Sequence, residues 1–90
     1  AVVGGSGGDA LGAAANAGAD VVVTSDLKHH VALDHREGGG PALIDVAHFA
    51  SEWPWVPAYA SVLRRDLVAA GYDVDVQYSS IVTDPWTWRA

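Results

Sequence analysis

The 90-residue sequence contains no cysteine, so neither a disulfide nor a thiolate metal site is available to hold it together. It is also short of cations: five Lys and Arg stand against eleven Asp and Glu, for a formal charge of -6. Binding a phosphate backbone needs clustered basic side chains, so a nucleic-acid groove is excluded. The one adjacent pair, Arg64 and Arg65, reads as a solvated helix face. No apolar run approaches the roughly 18 residues of a membrane span, and the first residues lack the basic start and cleavage pattern of a signal peptide. A soluble, cytoplasmic chain with no nucleic-acid or membrane partner is the expectation. Apolar residues, by contrast, are abundant: half of the chain is hydrophobic and only 18% is charged. A domain of this size buries roughly 60 to 65% of its extended surface. So greasy a surface predicts cover by a partner subunit or a further domain.

The chain alternates element types. "AVV" reads as a strand whose beginning is missing, and "GGSGGDALGAAANAGAD" turns sharply into an alanine-rich helix that stops at Gly18. "DVVVTSD" is a second strand, too continuously apolar to have a solvated face. "LKHHVALDHREGGG" is a helix ended by three glycines, and "PALIDV" is a third strand. Residues 49 to 70 predict a longer helical stretch, interrupted or delayed by Pro54 and Pro57 and ended by Gly71. "YDVDVQYS" then alternates as a half-buried edge strand would. The fold class is therefore α/β, a single small domain over residues 1–90 in two or three layers, with a mostly parallel sheet, right-handed crossovers and an edge strand. Such sheets carry their chemistry at the C-terminal ends of the strands. "GGSGGD", "TSD" and "DVAH" all fall there.

The glycine segment admits more than one reading. Gly5 to Ala10 fits the G-x-G-x-x-A form of a dinucleotide fingerprint, with Asp26 ending the next strand where a ribose-binding acid would stand. Asp9, however, would set a negative charge where a pyrophosphate approaches the helix N-terminus. A structural tight turn and a turn lining a different active site are each favoured over nucleotide binding. No Lys-Ser or Lys-Thr follows the glycines, so it is not a P-loop.

The histidines discriminate better. His29 and His30 are adjacent and diverge on a helix, so at most one faces the same cleft as Asp26. His35 lies on the polar side with Asp34 and Arg36 and is expected in solvent. His48 directly follows a buried strand, and Glu52 comes one helical turn later on the same face. An imidazole and a carboxylate so placed suit zinc, manganese, iron or cobalt. Two ligands are too few, so Asp26, His30, another subunit or an absent segment would have to contribute. On spacing alone, a hydrogen-bonded His-Glu pair stabilising a helix start is the favoured reading, and a metal site is the alternative. Trp53, Trp55 and Tyr59 read as core or interface packing rather than substrate stacking. Trp86 and Trp88 in "TDPWTW" need something to cover them.

Taken together and in order, "GGSGGD", "GADVVVTSDLKHH", "LIDVAHFASEWPWV" and "TDPW" resemble the C-terminal portion of the Nif-three-like dinuclear-metal proteins, also labelled GTP cyclohydrolase type 2 homologues. The likeness runs through nearly all 90 residues; one departure is "TSD" where the family more often has Thr-Gly-Asp. The resemblance implies a fragment of a longer metal-binding protein, with two divalent metal ions held in the complete protein by ligands from both halves. His48 and Glu52 would be the C-terminal ligands, and a His-His pair and an Asp would come from the N-terminal half, which His29 and His30 do not replace. Asp26 and His30 would line the cavity in catalytic roles. Metal-assisted hydrolysis of a small molecule, in a homo-oligomer such as a hexamer, is the activity and assembly implied. A non-catalytic metal-binding scaffold or regulator and a Rossmann-like nucleotide binder are the alternatives.

Overall fold

A computed structural model describes residues 1–87. The chain divides into two compact units, Ala1–Glu52 and Trp53–Ala90. The α/β organisation belongs to the first. There β1 (Val2–Ser6) passes through a single 3-10 turn (Gly8–Ala10) into α1 (Leu11–Asn16). β2 (Val21–Ser25), α2 (His29–Glu37), β3 (Ala42–Val46) and α3 (His48–Glu52) follow. The three strands form one sheet in the order β1-β2-β3, and both pairs are parallel. Parallel neighbours cannot be joined by a hairpin, so α1 and α2 are the crossovers that the topology requires.

β2 is the central strand because its β-branched run suits a pleated surface covered on both sides. Val22, Thr24 and Ser25 are wholly buried. Leu11 and Ala14 from α1 close over Val22, and Ala19, Leu27, Val31 and Leu43 pack around them. The alanine-rich α1 brings the crossover close to the sheet, and the chain turns out of it at Gly18, whose φ of 74° is in the left-handed region. α3 starts one residue after β3 and packs on β1 and β2. This brings the last helix of the unit to the strand ends where "GGSGGD" and "TSD" lie.

The second unit is built on α4 (Trp55–Ala69). The helical stretch expected over 49 to 70 is thus two helices, parted at residues 53 and 54. Pro54 sits at the N-cap of α4, and Pro57 falls in its first turn, where a backbone N–H has no intrahelical partner to lose. The helix ends at Ala70 and Gly71. Trp53 meets Tyr78 edge to face at 6.2 Å, and Trp55 lies against Tyr59 at 5.6 Å. These are ring-to-ring contacts within the unit, and Trp55 and Tyr59 stay more than half exposed rather than entering a core. No helix among the described residues is long and apolar enough to cross a membrane.

Two expectations need correction. "YDVDVQYS", residues 72–79, is not an edge strand: it forms no regular element and pairs with no strand. Alternation prepares a segment for a half-buried surface, but without a ladder partner its backbone gains nothing from being extended. His35 is partly buried rather than free in solvent. Its Nε2 lies 3.1 Å from the carbonyl oxygen of Pro41, and its ring covers Gly40, where an added Cβ would meet ring atoms at 2.4 Å to 2.8 Å. The imidazole thus fastens the end of α2 to the start of β3. Trp88 lies outside the described residues.

Candidate metal centre

The chain delivers three side chains to one place by three different local devices. β1 and β2 are out of step: Val2 pairs with Val23 and Ser6 with Ser25, so β1 spends four residue steps where β2 spends two. The excess is taken up by a bulge containing Gly5 at φ 71°. Asp26 directly follows the end of β2 and is the one described non-glycine residue with positive φ, at 52°. Aspartate tolerates that region better than most residues, and the twist turns its carboxylate back toward α3. α3 contributes His48 and Glu52 one turn apart.

His48 stands between two carboxylates. Its Nδ1 is 2.6 Å from Asp26 Oδ2, and its Nε2 is 3.3 Å from Glu52 Oε1. The Asp26 bond holds the imidazolium above the ordinary histidine value of 6.5; partial desolvation opposes this, and the Glu52 charge adds to it. In the neutral ring, Asp26 takes the Nδ1 proton as acceptor and leaves the Nε2 lone pair directed toward Glu52. His48, Glu52 and Asp26 have side chains 44%, 49% and 59% exposed, so an ion can reach them from solvent.

Gly5 forms the floor of the pair. A Cβ there would stand 2.5 Å from Glu52 Oε1 and 3.3 Å from His48 Nε2. The bare Cα therefore leaves space on the side where the two donor atoms converge. Gly7 is similarly committed, its Cα backing onto the Thr24 side chain. Both glycines of the G-x-G pattern thus lie against side chains of the same chain, which argues against the dinucleotide reading.

A hydroxyl network holds the floor to the helix. The Gly5 N–H donates to Ser51 Oγ at 2.8 Å, and Ser51 Oγ donates to the His48 carbonyl at 2.7 Å. Ser25 Oγ lies 3.1 Å from Ser51 Oγ, while Thr24 Oγ1 donates to the Gly5 carbonyl at 3.0 Å. At the base of the β2–α2 turn the Leu27 N–H donates to Asp45 at 3.2 Å, tying β3 to the same edge.

Of the residues singled out in the sequence, Asp26, His48 and Glu52 are brought together. His30 is exposed on the first turn of α2 and makes no hydrogen bond or ion pair with those three among the described residues. Asp9 caps no helix end; with Ser6, Gly8, Asp26, Lys28 and Val31 it lines a cleft of ≈ 180 Å³ beside the cluster. Ser25 and Ser51 join the site through hydrogen bonds, and their only signal in the sequence is their position next to Asp26 and Glu52.

The donor chemistry fits a divalent transition metal: a borderline nitrogen and a hard oxygen converge, with the imidazole oriented by a carboxylate on its other nitrogen. Asp26 is engaged on Nδ1, the side of the ring away from the other two donor atoms, so it cannot join Nε2 on the same ion. No group of three or more His, Asp or Glu able to hold a metal occurs among the described residues.

Residues 1–85 match the profile of a protein family described as Duf34/NIF3 (NGG1p interacting factor 3). Among curated proteins, a "GTP cyclohydrolase 1 type 2 homolog" of Mycobacterium leprae is 48% identical over 90 residues, all of this chain and 23% of that protein. One of the same name from Streptomyces coelicolor is 42% identical over 87 residues, 97% of this chain and 30% of that protein. The crystal structure of Staphylococcus aureus protein SA1388 superposes with a TM-score of 0.84 at 38% identity, covering 98% of this chain and 28% of its own. The chain thus spans about a quarter of the length of the relatives it matches.

Proposed function

Because the chain belongs to the Duf34/NIF3 family, we propose that it carries part of a dinuclear divalent-metal centre, with His48 and Glu52 as ligands, used for hydrolysis. The observation that carries this reading is the convergence of His48 Nε2 and Glu52 Oε1 over the bare Cα of Gly5, with Nδ1 engaged by Asp26. A pair serving only to steady a helix start would not need that space kept open. The remaining ligands come from residues outside these 90, in keeping with the two donors found here. Zinc, manganese, iron and cobalt all suit the donor set. Such ions supply Lewis acidity and water activation when bound. The protein's own part is to orient His48 through Asp26, present Glu52 from the next helical turn, and offer the Asp9–Lys28 cleft beside them to a small polar substrate. The role proposed for His30, exposed on the first turn of α2, is to act on substrate from outside the ligand pair.

The hydrolytic use is supported by the cyclohydrolase name carried by the relatives and by the metal-ligand chemistry of the pair. Elemental analysis of the full-length protein and of the 90-residue chain, each with and without His48→Ala and Glu52→Ala, tests the metal reading. About two ions per full-length chain are expected, lost on either substitution, with few or none on the 90-residue chain. Absence of bound metal after loading with zinc, manganese or iron would defeat the proposal. Screening the loaded full-length protein for phosphatase and cyclohydrolase turnover separates an enzyme from a non-catalytic metal-binding scaffold. The full-length protein is further proposed to be a homo-oligomer, such as a hexamer, and light scattering showing a monomer at micromolar concentration would refute that.

A further inference from the structure

We infer that Ser51 is a positioning residue for the His48–Glu52 pair, acting through a hydroxyl junction that fastens α3 to the ends of both β1 and β2. The inference rests on the metal-ligand reading above and goes beyond it to a residue outside the ligand set. A serine in a helix often donates back to the carbonyl three or four residues earlier, and that bond alone has no bearing on a site. Ser51 does more. Its single proton is directed to the His48 carbonyl, so its oxygen must act as acceptor toward its other partners. Those are the Gly5 N–H at 2.8 Å and Ser25 Oγ at 3.1 Å, and Ser25 is therefore the donor. One oxygen thus takes protons from a residue 46 positions away and another 26 positions away.

Each spoke of this junction ends at a part of the site. Gly5 is the floor beneath Glu52 Oε1 and His48 Nε2. Ser25 is wholly buried and immediately precedes Asp26, which holds His48 Nδ1. The His48 carbonyl belongs to the ligand itself. The lateral position of α3 against the Asp26 turn and the Gly5 bulge is therefore set at Ser51. Among the described residues, no buried side-chain nitrogen or oxygen lacks a hydrogen-bond partner, and removing this hydroxyl would leave the Ser25 hydroxyl without its acceptor.

The test uses Ser51→Ala, with Ser51→Thr as the conservative rescue. Two readouts are taken on folded full-length protein: the NMR signal of the His48 Nδ1–H hydrogen-bonded to Asp26 in the metal-free form, and Co²⁺ affinity with its visible absorption spectrum. Ser51→Ala is expected to broaden or shift the Nδ1–H signal and to weaken Co²⁺ binding about tenfold, as loss of a ligand-orienting partner does. Ser51→Thr should restore both. An unchanged Nδ1–H signal and Co²⁺ affinity in Ser51→Ala, even with a lowered melting temperature, would reduce Ser51 to a structural residue and overturn the inference. Should Ser51→Ala fail to fold, Ser25→Ala removes one spoke only and is expected to move both readouts the same way by a smaller amount; no movement overturns the inference equally. Wild-type protein that binds no Co²⁺ defeats the metal reading instead, and the metal-free signal then decides the positioning role by itself.

Discussion

Val22 and Val74 are both valines in segments whose sequences suggest strands, "DVVVTSD" and "YDVDVQYS". Val22 is wholly buried at the centre of a three-stranded sheet, whereas Val74 is 52% exposed in a stretch with no regular structure. The contrast extends to the two units that hold them. Residues 1–52 surround a shared core of Leu11, Ala14 and Val22 and end in the charged cluster. Beyond Glu52, one amphipathic helix is followed by chain in which Tyr72, Ile81, Val82 and Trp86 are all well exposed. The difference teaches that apolar character decides what a segment can pack against, while burial requires the partner to be there. In the first unit the crossover helices are that partner.

Measurements can press on this contrast, and the largest effect is expected at the core. Val22→Ala should destabilise the 90-residue chain by roughly 2 to 3 kcal/mol in a urea titration, combining two lost methyl groups with the cavity they leave. A loss below about 0.5 kcal/mol would show that the sheet has no more of a core than the second unit. Next comes Gly5→Ala. The added Cβ would push against Glu52 Oε1, which can swing away, but the left-handed backbone would remain strained by about 1 to 2 kcal/mol. The same substitution should displace Glu52 and lower metal content; unaltered metal binding would mean that the bare floor is not needed.

A smaller effect is expected from pH. Because the folded His48 value lies above 6.5, the stability it adds is fully present below pH 6.5 and is lost as the pH rises through the folded value. NMR titration of the metal-free chain should find that elevation, and Asp26→Asn should reduce it while tolerating the φ of 52°. An unchanged midpoint in Asp26→Asn would contradict the Asp26–His48 bond as its main cause. The smallest change is expected at Val74→Ala, within about 0.5 kcal/mol. A greater loss would mean that residues 72–79 find cover in solution.

Where local chemistry decides, the sequence is readable. The three strands, the glycine exits at Gly18 and Gly71 and the helix break at Pro54 follow from backbone preferences, and the facing of His48 and Glu52 follows from helical spacing. Where distant residues decide, it is not. The contact of Asp26 with His48 Nδ1 spans 22 positions, and the Ser51 junction depends on a bulge in β1 that no periodicity announces. At His35 the charged neighbours suggest solvent, while the hydrogen-bond partner of the ring, Pro41, lies beyond a triple glycine. "YDVDVQYS" failed in the opposite direction, since its alternation is a genuine local signal with no ladder to join.

The strand register also has a consequence in time. Val2 pairs with Val23 and Val21 with Ala42, each across 21 residues, so no hairpin is available to start the sheet. Each ladder must close a long loop before its contacts repay the closure, whereas α4 can form from neighbours alone. The His48 cluster needs the β1 bulge, the turn after β2 and α3 together. In a refolding experiment, ligand geometry should accordingly be the last feature to appear, well after helical signal has developed.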